Sequence, residues 1–282
     1  MKFLGLICKI LLLISASCLL SGCQPLILDS YGAIGMYESS IFLKSFIVML
    51  IIVIPVIIMT FYFVIKFSSK TTNVQYSPNW SHSNKIEIIV WGVPIIAILF
   101  LAHMAWYSTN FLEPRKPIKN FSINSVIKVD VIALDWKWLF IYPELQIATI
   151  NKLVFPVKRP MHFRITSYSV MNSFFVPLLG SQIYAMPGMI TNLNLIANKI
   201  GVLKGISSNF SGKGFSGMKF SVIITQNKLI FNNWINLVKK SSNKLMTLHD
   251  LKKIMIPDEN HMVEYFSDVN PKLFNTIVKK MY

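Results

Sequence analysis

The sequence predicts a membrane-anchored α+β protein: a two-helix transmembrane hairpin, then an antiparallel β-sandwich, then short C-terminal helices. Three observations predict it. Two apolar runs, Phe46–Ile65 and about Ile86–Tyr107, are long enough to cross a bilayer at ~1.5 Å per residue. Beyond them, apolar and polar residues alternate with period two, as they do in half-buried strands. From Asn227 onward the apolar spacing becomes helical. Composition agrees: 53% of the 282 residues are hydrophobic and only 14% are charged, a membrane-protein balance. The net charge is +16, but the lysines are scattered. Together with the membrane spans, that argues against a nucleic-acid partner and leaves anionic lipid or a compositional bias.

Taken in order, residues 1–22 predict a secretory signal. Lys2 and Lys9 precede an apolar core, Ile10–Leu20, that is too short to span. Leu20-Ser21-Gly22-Cys23 then resembles the bacterial lipobox, which implies cleavage before Cys23 and lipidation of its thiol. The three cysteines are Cys8, Cys18 and Cys23, so neither a disulfide nor a thiolate metal site is available in the body of the chain. Residues 23–111 then form the lipidated N-terminus and the hairpin. Pro55 falls inside the first span, and Gly92 and Pro94 inside the second. The loop between the spans, 66–85, carries Lys66, Lys70 and Lys85 and no acid, which places it in the cytoplasm. The N-terminus and everything after the second span then lie on the outer side, as the signal also requires. Trp106, Tyr107 and Phe111 fit an aromatic belt there. His103 has no partner at ligand spacing and fits a polar interface residue.

Glu87 lies one turn into the second span. An intramembrane acid is costly unless it faces protein or water, so it is a functional candidate. A Glu that snorkels to the headgroups or pairs with Lys85 fits its position equally well.

Residues 112–226 form the outer β domain, after a Pro-containing linker. Ile127, Val129 and Val131 alternate with Lys128 and Asp130; Met161, Phe163 and Ile165 with His162, Arg164 and Thr166; Met218, Phe220, Val222 and Ile224 with smaller or polar residues. Weaker strand patterns occupy 136–142, 152–157, 173–176 and 191–197. Residues 227–282 form a helical arm. Leu229, Phe231, Trp234, Ile235 and Val238 make one apolar face, and two further helices follow Thr247 and Asn270 as caps.

Gly205–Phe220 is the most informative stretch. Gly212-Lys213-Gly214-Phe215-Ser216-Gly217 fits the dinucleotide pattern G-x-G-x-x-G, but it leads into a strand pattern, and no acid occurs between Glu144 and Asp250. The context that the fingerprint needs is absent. No phosphate loop, nucleophile elbow or Cys/His cluster is present. The sequence shows no catalytic residue in this chain.

Two spans followed by an outer sandwich resemble subunit II of the haem–copper respiratory oxidases, whose outer domain is cupredoxin-like. Val131–Phe140 resembles the family's aromatic segment, Ser169–Phe174 the segment with the first copper-ligand histidine, and Ser207–Met218 the loop with the remaining ligands. Ser81–Glu87 with Trp91 and Pro94 resembles the second span. The lipobox, Val170–Phe175 and Val263–Ser267 resemble the quinol-oxidizing, bo-type branch.

The resemblance implies that Asn172, Ser207, Asn209, Ser211 and Phe215 stand where copper-bearing relatives have His, Cys, Glu, Cys and His. Met218 alone keeps a ligand-type side chain and is expected in the core. The domain is therefore expected to hold no metal. Haem and copper are expected in subunit I, and electrons are expected to come from ubiquinol rather than cytochrome c. Trp136 and Trp138 are then packing residues. Glu87 matches a carboxylate at the cytoplasmic mouth of a proton path into subunit I. The implied protein is a structural subunit of a proton-pumping oxidase of the bacterial inner membrane, bound to subunit I, other subunits and lipid. The alternative is a freestanding membrane lipoprotein whose sandwich serves binding or assembly.

Overall fold

The computed structural model describes residues 28–68, 81–118 and 126–280. The expected signal peptide, Cys23 with its lipobox, and most of the loop between the spans lie outside the described residues. The chain divides into two compact units, Tyr37–Pro117 and the remainder.

The first unit is a helical hairpin. Helix α1 spans Ala33–Lys66 and α2 spans Asn84–Phe111, and both are long and apolar enough to cross a membrane. At 1.5 Å per residue, the 34 residues of α1 are about 51 Å long, well beyond the ~30 Å hydrocarbon core. The helix begins at Ala33, whereas the apolar run begins at Phe46. Glu38, Ser39 and Lys44 lower the hydropathy of the first turns without breaking the helix. Pro55 and Pro94 both lie inside helices. Tyr37 and Tyr107 both pack on Phe111, at ring separations of 4.8 and 6.4 Å.

The second unit is a β-sandwich with a C-terminal arm. Its strands are β1 (Ile127–Leu134), β2 (Lys137–Tyr142), β3 (Ile147–Ile150), β4 (Lys152–Pro156), β5 (Pro160–Ser167), β6 (Asn172–Phe175), β7 (Ile183–Ala185), β8 (Thr191–Ile196), β9 (Gly201–Ser207) and β10 (Lys219–Thr225). The arm adds α3 (Lys228–Lys239), β11 (Lys244–Leu245), α4 (Leu248–Ile254), β12 (Glu264–Phe266), β13 (Asp268–Val269) and α5 (Leu273–Lys280). One sheet runs β12-β3-β2-β1-β5-β8 and the other β4-β10-β9-β6-β7. The expected antiparallel sandwich is present, with one difference in detail. The pairs β1–β5 and β4–β10 are parallel, because the chain visits the opposite sheet before returning beside its earlier strand. The segment 28–36 belongs to this unit: Tyr31 N and Gly32 N donate to Leu178 O, and Gly35 N donates to Leu179 O.

The core is aromatic. Phe174 and Phe220 stack at 5.2 Å, Trp138 meets Phe174 edge-on at 5.5 Å, and Phe140 lies 5.1 Å from Phe220. A Cβ on Gly205 would sit 2.0 Å from the Phe220 ring, so only glycine fits opposite that side chain.

The first sheet is covered on both faces. Val129, Val131 and Ala133 point into the sandwich, while Ile132, Leu134, Leu139 and Ile141 are buried under Leu245, Leu251, Leu273, Phe274 and Ile277 of the arm. This double burial explains why Val131–Tyr142 is apolar almost throughout, where a half-exposed strand alternates. In α3 the buried residues are Phe231, Ile235 and Val238. Leu229, expected on this face, is exposed; it lies two positions from Phe231 and so falls on the opposite side of the helix.

Candidate functional site

The positions singled out around the Gly-rich loop gather at one end of the sandwich. Asn172 opens β6 and Ser207 closes β9, and both are buried. Ser207 Oγ donates to Asn172 Oδ1 at 3.1 Å, and Asn172 Nδ2 donates to Val170 O at 3.1 Å. Asn209 Nδ2 donates to Met171 O at 3.0 Å. Ser207 N donates to Met218 O at 3.2 Å, which closes the loop at its base. Within the loop, Ser211 Oγ faces Met218 Sδ at 4.0 Å, and Phe215 packs edge-on against Phe210 at 5.6 Å. Met218 is 1% exposed and belongs to the core cluster. Gly205–Ser207, at the start of this stretch, completes β9, and Lys219 and Phe220 begin β10 as the alternation from Met218 predicts.

Two features hold the loop. Trp136 adopts φ 64°, an uncommon backbone for a bulky residue. Its Nε1 donates to Ser211 O at 3.0 Å. A Cβ on Gly214 would approach the same ring to 2.4 Å, so the loop backbone lies directly on the indole. The second feature is the arm segment 256–264. Lys213 Nζ pairs with Glu259 at 3.4 Å, and Asn260 Oδ1 packs on Gly217. His261 is bracketed by Asp258 at 2.6 Å and Glu264 at 3.2 Å. Its imidazole holds the Asp258 carboxyl below the ordinary range. Lys137 Nζ donates to Ile256 O at 3.0 Å. Burial pushes this ammonium below its ordinary range, against the pull of Asp258, Glu264 and Asp135.

Asn151 joins these parts. It has φ 56°, which asparagine tolerates better than most residues. It receives Trp138 N at Oδ1 (2.9 Å) and gives Nδ2 to His261 O (2.8 Å). Its backbone bonds Trp138 O and Ser221 N, both at 2.9 Å. Both sheets and the arm therefore meet at one residue, the side chain joining Trp138 to His261 and the backbone reaching Ser221. Sequence reasoning missed this residue, although an Asn between two short apolar runs is a turn signal.

At the start of α2, Ser83 is the N-cap and Glu87 lies in the first turn. Glu87 N donates to Ser83 O at 3.0 Å. The Glu87 carboxylate lies 3.6 Å from His82 Nδ1, with the two side chains 57% and 60% exposed. His82 was not singled out from sequence. His103 is exposed on α2.

Sequence comparison places this geometry in a family. Residues 118–226 match the model described as cytochrome C oxidase subunit II, periplasmic domain, and residues 239–282 match the COX aromatic rich motif. The cytochrome bo(3) ubiquinol oxidase subunit 2 of Buchnera aphidicola subsp. Schizaphis graminum is 52% identical, over 97% of this chain and 94% of its own length. The chain belongs to the bo-type ubiquinol oxidase subunit II family. The corresponding subunit of Pseudomonas putida is 47% identical over 93% of this chain and 82% of its own length. Among solved structures, the periplasmic domain of subunit II of cytochrome oxidase of Bradyrhizobium japonicum aligns with TM-score 0.39 and 22% identity. It covers 40% of this chain and 94% of that one, and the family assignment does not rest on it.

The subunit is thus part of a quinol oxidase, an oxidoreductase complex of the haem–copper family. Copper in a subunit II domain would need thiolate and imidazole donors. The side chains here do not fit it. Ser207 and Asn172 bond each other, Asn209 bonds Met171 O, Ser211 faces Met218 and Phe215 packs on Phe210, so a single thioether remains as a ligand-type donor. Among the described residues, no three His, Cys, Asp or Glu side chains gather.

Proposed function

We propose that this chain is the copper-free subunit II of a proton-pumping ubiquinol oxidase that reduces dioxygen to water. Electrons pass from ubiquinol to the haem-bearing subunit I without a redox centre in this chain, and cytochrome c is not a donor. The donor set at Asn172, Ser207, Asn209, Ser211 and Phe215 carries this reading, because it offers no soft ligand beyond the buried Met218. Haem and copper belong to subunit I. Residues 112–226 act as a periplasmic cupredoxin-like cap and 227–282 as its arm. Cys23 is the lipid anchor that, with the spans, holds the chain in the inner membrane.

Two experiments test the reading. The purified complex is assayed with ubiquinol and with reduced cytochrome c, and copper is located by anomalous scattering. Quinol-only activity with no copper signal at 205–220 is expected, and copper at that loop overturns the proposal.

Glu87 is proposed as the carboxylate that takes up protons on the cytoplasmic side. It lies at the first turn of α2, with its carboxylate half exposed. An acid there can collect protons from water and pass them inward. Glu87→Gln should slow turnover about tenfold or more with haem content intact. Unchanged oxygen uptake in the assembled variant refutes the role.

A further inference from the structure

Glu87 has an immediate neighbour with the chemistry to feed it. His82 Nδ1 is 3.6 Å from Glu87 Oε2, and His82 Nε2 is hydrogen-bonded to Asn84 Oδ1. The amide oxygen is an acceptor only, so it holds the proton on Nε2 in the neutral ring. That leaves Nδ1, the nitrogen facing Glu87, as the one that gains and loses a proton. Both side chains are more than half exposed in this chain, as a proton-collecting pair requires. Of the five histidines, His82 alone falls on the cytoplasmic side in the orientation set by the lysine-rich loop.

Glu87 also needs such a neighbour. Glu87 lies in the first turn of α2, and His82 is the basic side chain that the structure sets within 4 Å of its carboxylate. An ionised carboxylate in neutral water meets free protons rarely. An imidazole is the side-chain type suited to exchanging protons with water and handing them on.

We propose that His82 is the proton donor to Glu87, an imidazole relay at the cytoplasmic start of α2, with Asn84 as the positioning residue that fixes its tautomer. This rests on the reading of Glu87 given above. In each cycle the His82 imidazolium gives its Nδ1 proton to Glu87 Oε2. This forms the neutral carboxylic acid and a neutral imidazole that keeps its Nε2 proton on Asn84. Water returns a proton to Nδ1 after Glu87 has passed its own inward. The 3.6 Å gap closes by a side-chain rotation or through one water.

The test uses the intact complex carrying His82→Ala, His82→Gln or Glu87→Gln, normalised to haem content. Quinol-driven oxygen uptake is measured from pH 6 to pH 9, with and without imidazole in the medium. Both His82 variants should lose kcat with KM for quinol unchanged. The loss should reach about three- to tenfold at the alkaline end and shrink towards pH 6, where free protons are plentiful. Added imidazole should restore the rate in His82→Ala but not in Glu87→Gln. If the His82 variants match the parent while Glu87→Gln is slow, the relay is refuted and the Glu87 role stands. If Glu87→Gln is also unaffected, both fall. A His82 loss that is independent of pH and of imidazole shows a structural role and refutes the relay.

Discussion

Arg164→Ala is the most demanding test of how the arm is held on the sandwich. Arg164 on β5 grips Asp130 on β1 with two bonds, Nε to Oδ1 at 2.7 Å and Nη2 to Oδ2 at 2.6 Å. The Asp130 side chain is 1% exposed and that of Arg164 32%. The guanidinium lies 4.7 Å from the centre of the Phe274 ring of α5. Truncating Arg164 leaves a buried carboxylate unpaired, which costs about 3–5 kcal/mol, and removes a cation–π contact of about 0.5–1 kcal/mol. Water reaches Arg164 in part, which favours the lower end, about 3 kcal/mol in all.

At about 1.4 kcal/mol per decade, that is roughly a hundredfold loss of protection. It should be read as hydrogen exchange of α5 and β5 amides in the intact complex, each rate corrected for intrinsic exchange. The pH dependence has a definite sign. Burial pushes Asp130 above its ordinary 3.8, more than Arg164 pulls it down. A carboxyl raised in the folded state keeps its proton where the unfolded chain has lost one. Its contribution to stability is therefore fully present below 3.8 and is lost as pH rises through the folded value. Without Arg164 the folded value rises further. The variant's deficit should be largest at neutral pH and should shrink on acidification. A deficit that is absent, or equal at all pH values, refutes the reasoning.

Asn151→Ala removes the bonds to Trp138 N and His261 O and leaves a residue less suited to φ 56°. It should cost about 2–3 kcal/mol, seen as a lower midpoint of thermal inactivation and faster tryptic cleavage at the exposed Lys213. Gly214→Ala drives a methyl to 2.4 Å from the Trp136 ring. The loop must lift off the indole, so fluorescence from Trp136 should shift and Lys213 should be cleaved sooner, with haem content unchanged.

What the sequence revealed follows the physics of each element. The spans were legible because continuous hydropathy needs no partner to interpret it. The start of β1 and strands β5 and β10 were legible because apolar residues alternate there with polar ones such as Lys128, Asp130, His162, Arg164 and Ser221. Strands β3, β7 and β9 were not predicted: the first two are only four and three residues long, and β9 carries two glycines, Gly201 and Gly205. Thr247 was legible as a cap because its partner Asp250 is local, and the structure shows the full capping box. The loop positions were found by resemblance, and the structure shows where they sit and how they bond. Asn151, the arm segment over the loop and the His82–Glu87 pair were missed. The first two depend on contacts more than 100 residues apart in sequence, and His82 has no pattern of its own.

The arm also accounts for a charge asymmetry visible in the sequence alone. No acid lies between Glu144 and Asp250, whereas the arm carries Asp258, Glu259, Glu264 and Asp268. Lys213–Glu259 at 3.4 Å and Lys244–Asp268 at 3.8 Å are both largely exposed, and such pairs contribute about 0–1 kcal/mol each. Leu251, Phe266, Leu273, Phe274 and Ile277 are each at most 4% exposed, at about 1.5–3 kcal/mol per fully buried side chain. Apolar burial therefore attaches the arm, and the charges set its register. That register puts Asn260 on Gly217 and brings the His261 carbonyl to Asn151. A loop whose one soft donor is the buried Met218 is thus held from outside by the arm and from beneath by Trp136.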